Sequence, residues 1–127
     1  MKVDTKEMAK KISRCRWFKL LQSGVGNNDL NGKDIIVSKV IDVSGARYKL
    51  IANIHYFETF ARLTLRIQSL GSKESGTLVF LLTRGWHTYE FHEVLLWRYP
   101  PLPEDSMCKI FGELLKELSM RTGLLAI

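Results

Sequence analysis

Between Arg47 and Tyr56 the apolar residues take the even positions, Tyr48, Leu50, Ala52, Ile54 and Tyr56, while Arg47, Lys49, Asn53 and His55 take odd ones. After Glu58-Thr59 the parity flips: Ala61, Leu63, Leu65 and Ile67 are apolar, and Arg62, Thr64, Arg66 and Gln68 are polar. Alternation of this kind marks a half-buried strand, because successive side chains point to opposite faces. A two-residue turn at Glu58-Thr59 sets Lys49 opposite Gln68, Asn53 opposite Thr64 and His55 opposite Arg62, all on one face. Three more segments read as strands, at Asp34–Val43, Gly76–Gly85 and His87–Tyr99. In the last, Tyr89, Phe91, Leu95, Trp97 and Tyr99 are in phase. The connectors at 44–46, 71–76 and 84–85 are short or turn-rich, which makes neighbouring strands antiparallel and the sheet a meander.

Helical spacing brackets these strands. Asp4 with Glu7 has the form of a capping box, and a helix is expected from there to about Gln22, stopped by Gly24. Met8, Ile12, Cys15 and Phe18 fall on one arc, Lys2, Lys6, Lys10 and Arg14 form a basic row at every fourth residue, and Glu7 can pair with Lys11. Gly24–Asp34 is loop by composition. Pro100, Pro101 and Pro103 end the sheet, with Pro103 in the first turn of a final helix and Glu104 and Asp105 complementing its dipole. Met107, Ile110, Phe111, Leu114 and Leu118 give that helix an apolar face as far as Thr122, and Gly123 stops it. Gly112 inside it costs about 1 kcal/mol relative to Ala, which points to a close packing contact. The apolar tail Leu124–Ile127 is expected to pack against the fold. The expected architecture is α+β: N-terminal helix, five-stranded antiparallel meander and C-terminal helix. It forms a two-layer sandwich or a sheet curled towards a half-barrel.

Composition narrows the class. A chain of 127 residues with 46% hydrophobic content makes one domain, residues 1–127, with its own core. Its longest apolar run, Leu78–Leu82, is far short of the roughly 20 residues of a membrane span. No signal-peptide core opens the sequence, and Cys15 and Cys108 suit reduced thiols, so a cytoplasmic, intracellular protein is expected. The net charge is +6, concentrated in the first helix, and favours an anionic partner.

The stretch GARYKLIANIHY, Gly45–Tyr56, resembles the strand pair of RelE-type ribosome-dependent toxins. The likeness is confined to those residues, and no activity is carried over from it.

The basic, amide-rich strand face and the basic helix row suggest a small nucleic-acid-binding protein for RNA or single-stranded DNA. The residues expected to bind are Lys6, Lys10, Arg14, Arg47, Lys49, Asn53, His55, Arg62, Arg66 and Gln68. Aromatic stacking is scarce, since only Phe57 and Phe60 reach that face. An ordinary solvated sheet face has similar composition. The alternative is a non-catalytic protein–protein interaction and assembly module. Val79, Leu81, Val94 and Leu96 make the outer face of the last two strands apolar, and a homodimer or another protein would cover them. Glu90 and His92 share a strand face and are the candidates for a small RNase, the minority reading. No ligand spacing points to a metal, and no motif points to a cofactor.

Overall fold

The computed structural model describes residues 2–124. The five strands, β1 (Asp34–Val43), β2 (Ala46–Tyr56), β3 (Ala61–Ser69), β4 (Ser75–Leu82) and β5 (His87–Glu93), form one antiparallel sheet in sequence order. It is open, not closed into a barrel. The helices are α1 (Thr5–Ser13), α2 (Arg16–Ser23), the short α3 (Leu95–Arg98) and α4 (Glu104–Thr122). They pack against one face of the sheet, which makes the fold a two-layer α+β sandwich. Leu50, Ala52 and Ile54 of β2, Leu63, Leu65 and Ile67 of β3, and Leu78 and Phe80 of β4 are fully buried on that inner face. Met8, Phe18, Leu21, Phe111, Leu115 and Leu118 cover them from the helices.

The turn at Glu58-Thr59 holds two residues, as the change of parity requires. Lys49 pairs with Gln68, Asn53 with Thr64 and His55 with Arg62. That register sends every large aliphatic residue of both strands except Ile51 to the inner side, so a slip of one residue would expose the core.

The first helix is broken. Asp4 caps α1 by accepting from the N–H groups of Lys6 and Glu7, and α1 stops at Ser13, whose hydroxyl donates to the Lys10 carbonyl at 2.8 Å. Cys15 is extended and α2 restarts after it. The bend carries Phe18 edge-on against Phe80 at 4.9 Å and His87 at 5.0 Å. Lys11 does not pair with Glu7. It reaches across to Glu104 at 2.9 Å and pins α1 to α4, and the Glu104 and Asp105 carboxylates raise its pKa. Glu7 instead lies 3.9 Å from Arg14.

The fifth strand is shorter than its alternation suggests. A bulge opposite Thr77 and Leu78 takes up His92, β5 ends at Glu93, and the chain turns into α3. Trp97 is therefore buried from a helix, stacked on Phe111 at 5.0 Å. Gly76 admits it: a Cβ there would stand 2.8 Å from Trp97 Cδ1 and 3.0 Å from the Trp97 backbone nitrogen. Pro103 occupies the cap of α4, one position before the first turn, with Glu104 and Asp105 following it. Gly112 has no tight contact, since a Cβ would meet only Cys15 Sγ at 3.9 Å. Of the apolar tail, Leu124 is buried, and residues 125–127 lie outside the described part.

Candidate nucleic-acid interface

Among the described residues no helix covers the outer face of the sheet, and the register orders its side chains into cross-strand rows. Asp34, His55, Arg62, Leu81 and Thr88 form one row; Ile36, Asn53, Thr64, Val79 and Glu90 form the next. Ser38, Ile51, Arg66, Thr77 and Glu93 follow, then Val40, Lys49, Gln68 and Ser75. Asp42 and Arg47 close the face. Arg47, Lys49, Arg62 and Arg66 thus line the middle of the sheet along β2 and β3. His55 to Arg47 is eight residues of strand, or about 27 Å at the usual rise.

The rim carries the opposite sign. Asp34 and Asp42 stand on β1, and Glu90 and Glu93 on β5. Counting histidines as neutral, these four acids balance the four central cations, so the face is a positive stripe between two acidic borders. None of the four cations lies within ion-pairing distance of a carboxylate among the described residues. The stripe is unneutralised locally. Arg66 is half-buried among its neighbours, and its Nε has no hydrogen-bond partner.

The amides and histidines are less free. Asn53 Nδ2 donates to Asp34 Oδ1 at 2.6 Å and to the Ile35 carbonyl at 2.9 Å, so its amide is turned towards β1. His55 Nδ1 lies 3.7 Å from Asp34 Oδ2, and its ring stacks on Phe57 at 4.2 Å. Phe57 stacks in turn on Phe60 at 4.6 Å, and the Arg62 guanidinium lies 5.6 Å from the Phe57 ring. Gln68 is half-buried in the row of Lys49.

The candidate acid–base pair is a surface pair. His92 Nε2 and Glu90 Oε1 are 2.8 Å apart with side chains 56% and 73% exposed, so nothing there excludes water. Glu93 is engaged by the Ser75 hydroxyl. The third histidine, His87, lies on the inner face against Phe18 and Phe80, and burial lowers its pKa. Among the described residues no three His, Cys, Asp or Glu side chains cluster to hold a metal. Cys108 Sγ lies 3.2 Å from Met8 Sδ, and burial raises its thiol pKa, which is core packing.

The basic helix row lies elsewhere. Lys6, Lys10 and Arg14 are exposed on α1, which packs on α4 and α2. The row belongs to the helical layer, on the opposite side of the sheet from the stripe. One ligand lying flat on either surface cannot meet both.

The apolar surface expected on the last two strands is smaller than its sequence suggests. Leu96 belongs to α3 and is buried within the fold, and Val94 caps that helix and is partly buried. The bulge and the turn into α3 remove both from the strand face. Val79 is on the outer face but already 93% covered by its neighbours, leaving Leu81, 42% exposed. The more exposed aliphatics are Ile36 and Val40 on β1, the edge strand.

A hollow of about 310 Å³ opens beside β1, lined by Ile36, Ser38, Lys49 and Ile51 with Glu117 and Arg121 of α4. It is at the lower limit of small-molecule sites, about 300 Å³, and its lining is mostly polar or charged. No protein-family model, curated protein or solved structure matches the chain.

Proposed function

We propose that the protein binds single-stranded nucleic acid, RNA or DNA, along the outer face of its sheet. The observation that carries this reading is the stripe of Arg47, Lys49, Arg62 and Arg66 along one strand hairpin, without a carboxylate partner among the described residues. Arg47 and Arg62 are exposed, and Lys49 and Arg66 are half-buried. Cations aligned along one sheet face attract phosphates, and the acidic borders repel them, which confines a strand to the centre. Gln68 and His55 share rows with Lys49 and Arg62, and Thr64 lies in the row between Arg62 and Arg66, where hydroxyls, amides and imidazoles reach bases or ribose. A duplex is a poorer fit, because no helix or two-stranded ribbon projects from this face to enter a groove.

The role is binding, with no chemical step. The Glu90–His92 pair lies on the acidic border, away from the stripe and open to water. Fluorescence anisotropy of a labelled 12-nucleotide single strand, titrated at several salt concentrations, tests the proposal. Affinity that falls steeply with salt is expected, and binding that is undetectable at low salt would reject it.

A second reading, an assembly module, rests on Ile36 and Val40, 60% and 44% exposed on the free edge of β1. Apolar residues on an unpaired edge invite another strand. Lys39 opposes it: its side chain projects to the other face from mid-strand and lies 3.8 Å from Glu113. A charge so placed is a usual guard against edge pairing. Light scattering at high concentration separates the readings, since a monomer that binds strands leaves the assembly role unsupported.

A further inference from the structure

The aromatic column at the turn end of the sheet lacks one ring. Phe57 donates its N–H to the Phe60 carbonyl, and Thr83 donates its N–H to the Trp86 carbonyl, each closing a two-residue turn. The register of β3 and β4, carried one residue past the Ala61–Leu82 pair, sets Phe60 beside Thr83. Phe57, Phe60, Thr83 and Trp86 thus form a further row. Each follows or precedes an inward residue, Tyr56, Ala61, Leu82 or His87, so all four point to the outer face. The stacked pair that crosses between strands in this row, Phe57 and Phe60, is 4.6 Å apart, close to the distance between neighbouring strands, about 4.8 Å. His55 stacks on Phe57 from two residues back along β2. Strand spacing sets the ring spacing. At Thr83, where the next ring would stand, the side chain is small and its hydroxyl is spent on the Trp86 carbonyl at 2.7 Å. Beyond it Trp86 is 61% exposed.

Phe60 and Trp86 are therefore two strand spacings apart, about 9.6 Å, which leaves room for one planar ring between them. We infer that this gap receives one unpaired nucleobase of the strand bound on the sheet face. The inference rests on the single-strand reading above and adds a base-stacking subsite to its phosphate stripe. The walls are held in place without the ligand. His55 and Phe57 back Phe60, and Gln22 Nε2 donates to both the Thr83 and Trp86 carbonyls, at 2.9 and 3.1 Å, tying the turn to the helical layer. Arg62 one row inward supplies a cation for the phosphate of the stacked nucleotide. Stacking of this kind tolerates any base, since every base has a π face.

Two labelled strands of 12 nucleotides test it, an oligouridylate and a fully abasic strand of the same length and charge. The uridine strand should bind roughly tenfold more tightly, an effect of the size that one or two stacked bases produce. Trp86→Ala should abolish the difference and Trp86→Phe should keep most of it. Because Trp86 is exposed, both variants should fold, which far-ultraviolet circular dichroism checks. Equal affinity for the two strands, or a preference that survives Trp86→Ala, overturns the stacking site and leaves the phosphate stripe standing. Failure of both strands to bind at low salt overturns both.

Discussion

The helical layer carries more of the positive charge, yet the sheet face makes the better site. On the helices, Lys11, Arg14 and Arg121 have carboxylate partners, and the exposed Lys6, Lys10, Arg16 and Lys19 share α1 and α2 with one amide, Gln22, that is already spent on the Thr83 and Trp86 carbonyls. Trp17 there is occupied by Arg16 at 4.4 Å and Lys116 at 5.5 Å. On the sheet, fewer cations stand in a line, unpaired, between acidic borders and beside a ring column. Charge count predicts attraction to polyanions; only arrangement predicts where a strand lies. In the proposed role, the helical cations would supply a long-range field that steers an anion towards the protein, and the stripe would hold it.

The two faces of the sheet also differ in what they tolerate, and this gives the largest expected effect. Gly76→Ala pushes a methyl group into Trp97 and its backbone, so it should destabilise by about 3 kcal/mol, read from urea unfolding. Lys49→Ala with Arg66→Ala on the outer side should lower stability by no more than about 1 kcal/mol, the packing of the half-buried Arg66 stem included, while weakening strand binding severalfold or more. Comparable losses of stability for both would break the division between a structural inner face and a binding outer face.

Within the helical layer, Gly112→Ala should raise stability by about 0.5–1 kcal/mol, because Ala is the better helix former and the new methyl meets only Cys15 Sγ. A loss instead would reveal a tight contact between α4 and the α1–α2 bend. The inner-face His87 gives a pH dependence of smaller size. Its folded pKa is below the ordinary value, so the unfolded chain takes up the proton first as pH falls. Stability should therefore decline from about pH 6.5 downward, and His87→Gln should flatten that part of the urea-midpoint profile. The smallest effect concerns the borders: Glu90→Gln should strengthen strand binding by no more than about twofold at low salt, since the charge is exposed and screened.

How much of this was legible depended on the period. The β2–β3 register followed from a change of parity across Glu58-Thr59, because sheet faces repeat every two residues and a buried face tolerates no slip. The acidic borders were readable by the same rule, from Asp34 and Asp42 on one side of β1, once β1 is paired with β2. The ring column was half legible: Phe57 and Phe60 follow from the turn, whereas Trp86 joins them only through the register of two further strand pairs. One feature left no trace in periodicity. The apolar arc of Met8, Ile12, Cys15 and Phe18 runs through the helix break without a change of phase, and no Pro or Gly marks it. The alternation from Tyr89 to Tyr99 does break at Glu93, a polar residue in the apolar phase just after the bulge at His92, but the break alone does not say that the chain turns into a helix. What decides that point is the missing side chain at Gly76, a residue one strand away, which gives Trp97 a place to go.

The central claim is that a strand lies on the sheet and not on the helices. Its most direct test is the salt dependence of single-strand binding for three proteins: the parent, the sheet pair Lys49→Ala/Arg66→Ala, and the helix pair Lys6→Ala/Lys10→Ala. Each lost phosphate contact lowers the slope of log affinity against log salt by about 0.7 for a single strand, so the sheet pair should lower it by about 1.4. The helix pair should slow association at low salt and leave the slope within error of the parent. A slope reduced by the helix pair and unchanged by the sheet pair would contradict the account and move the site to the other side of the molecule.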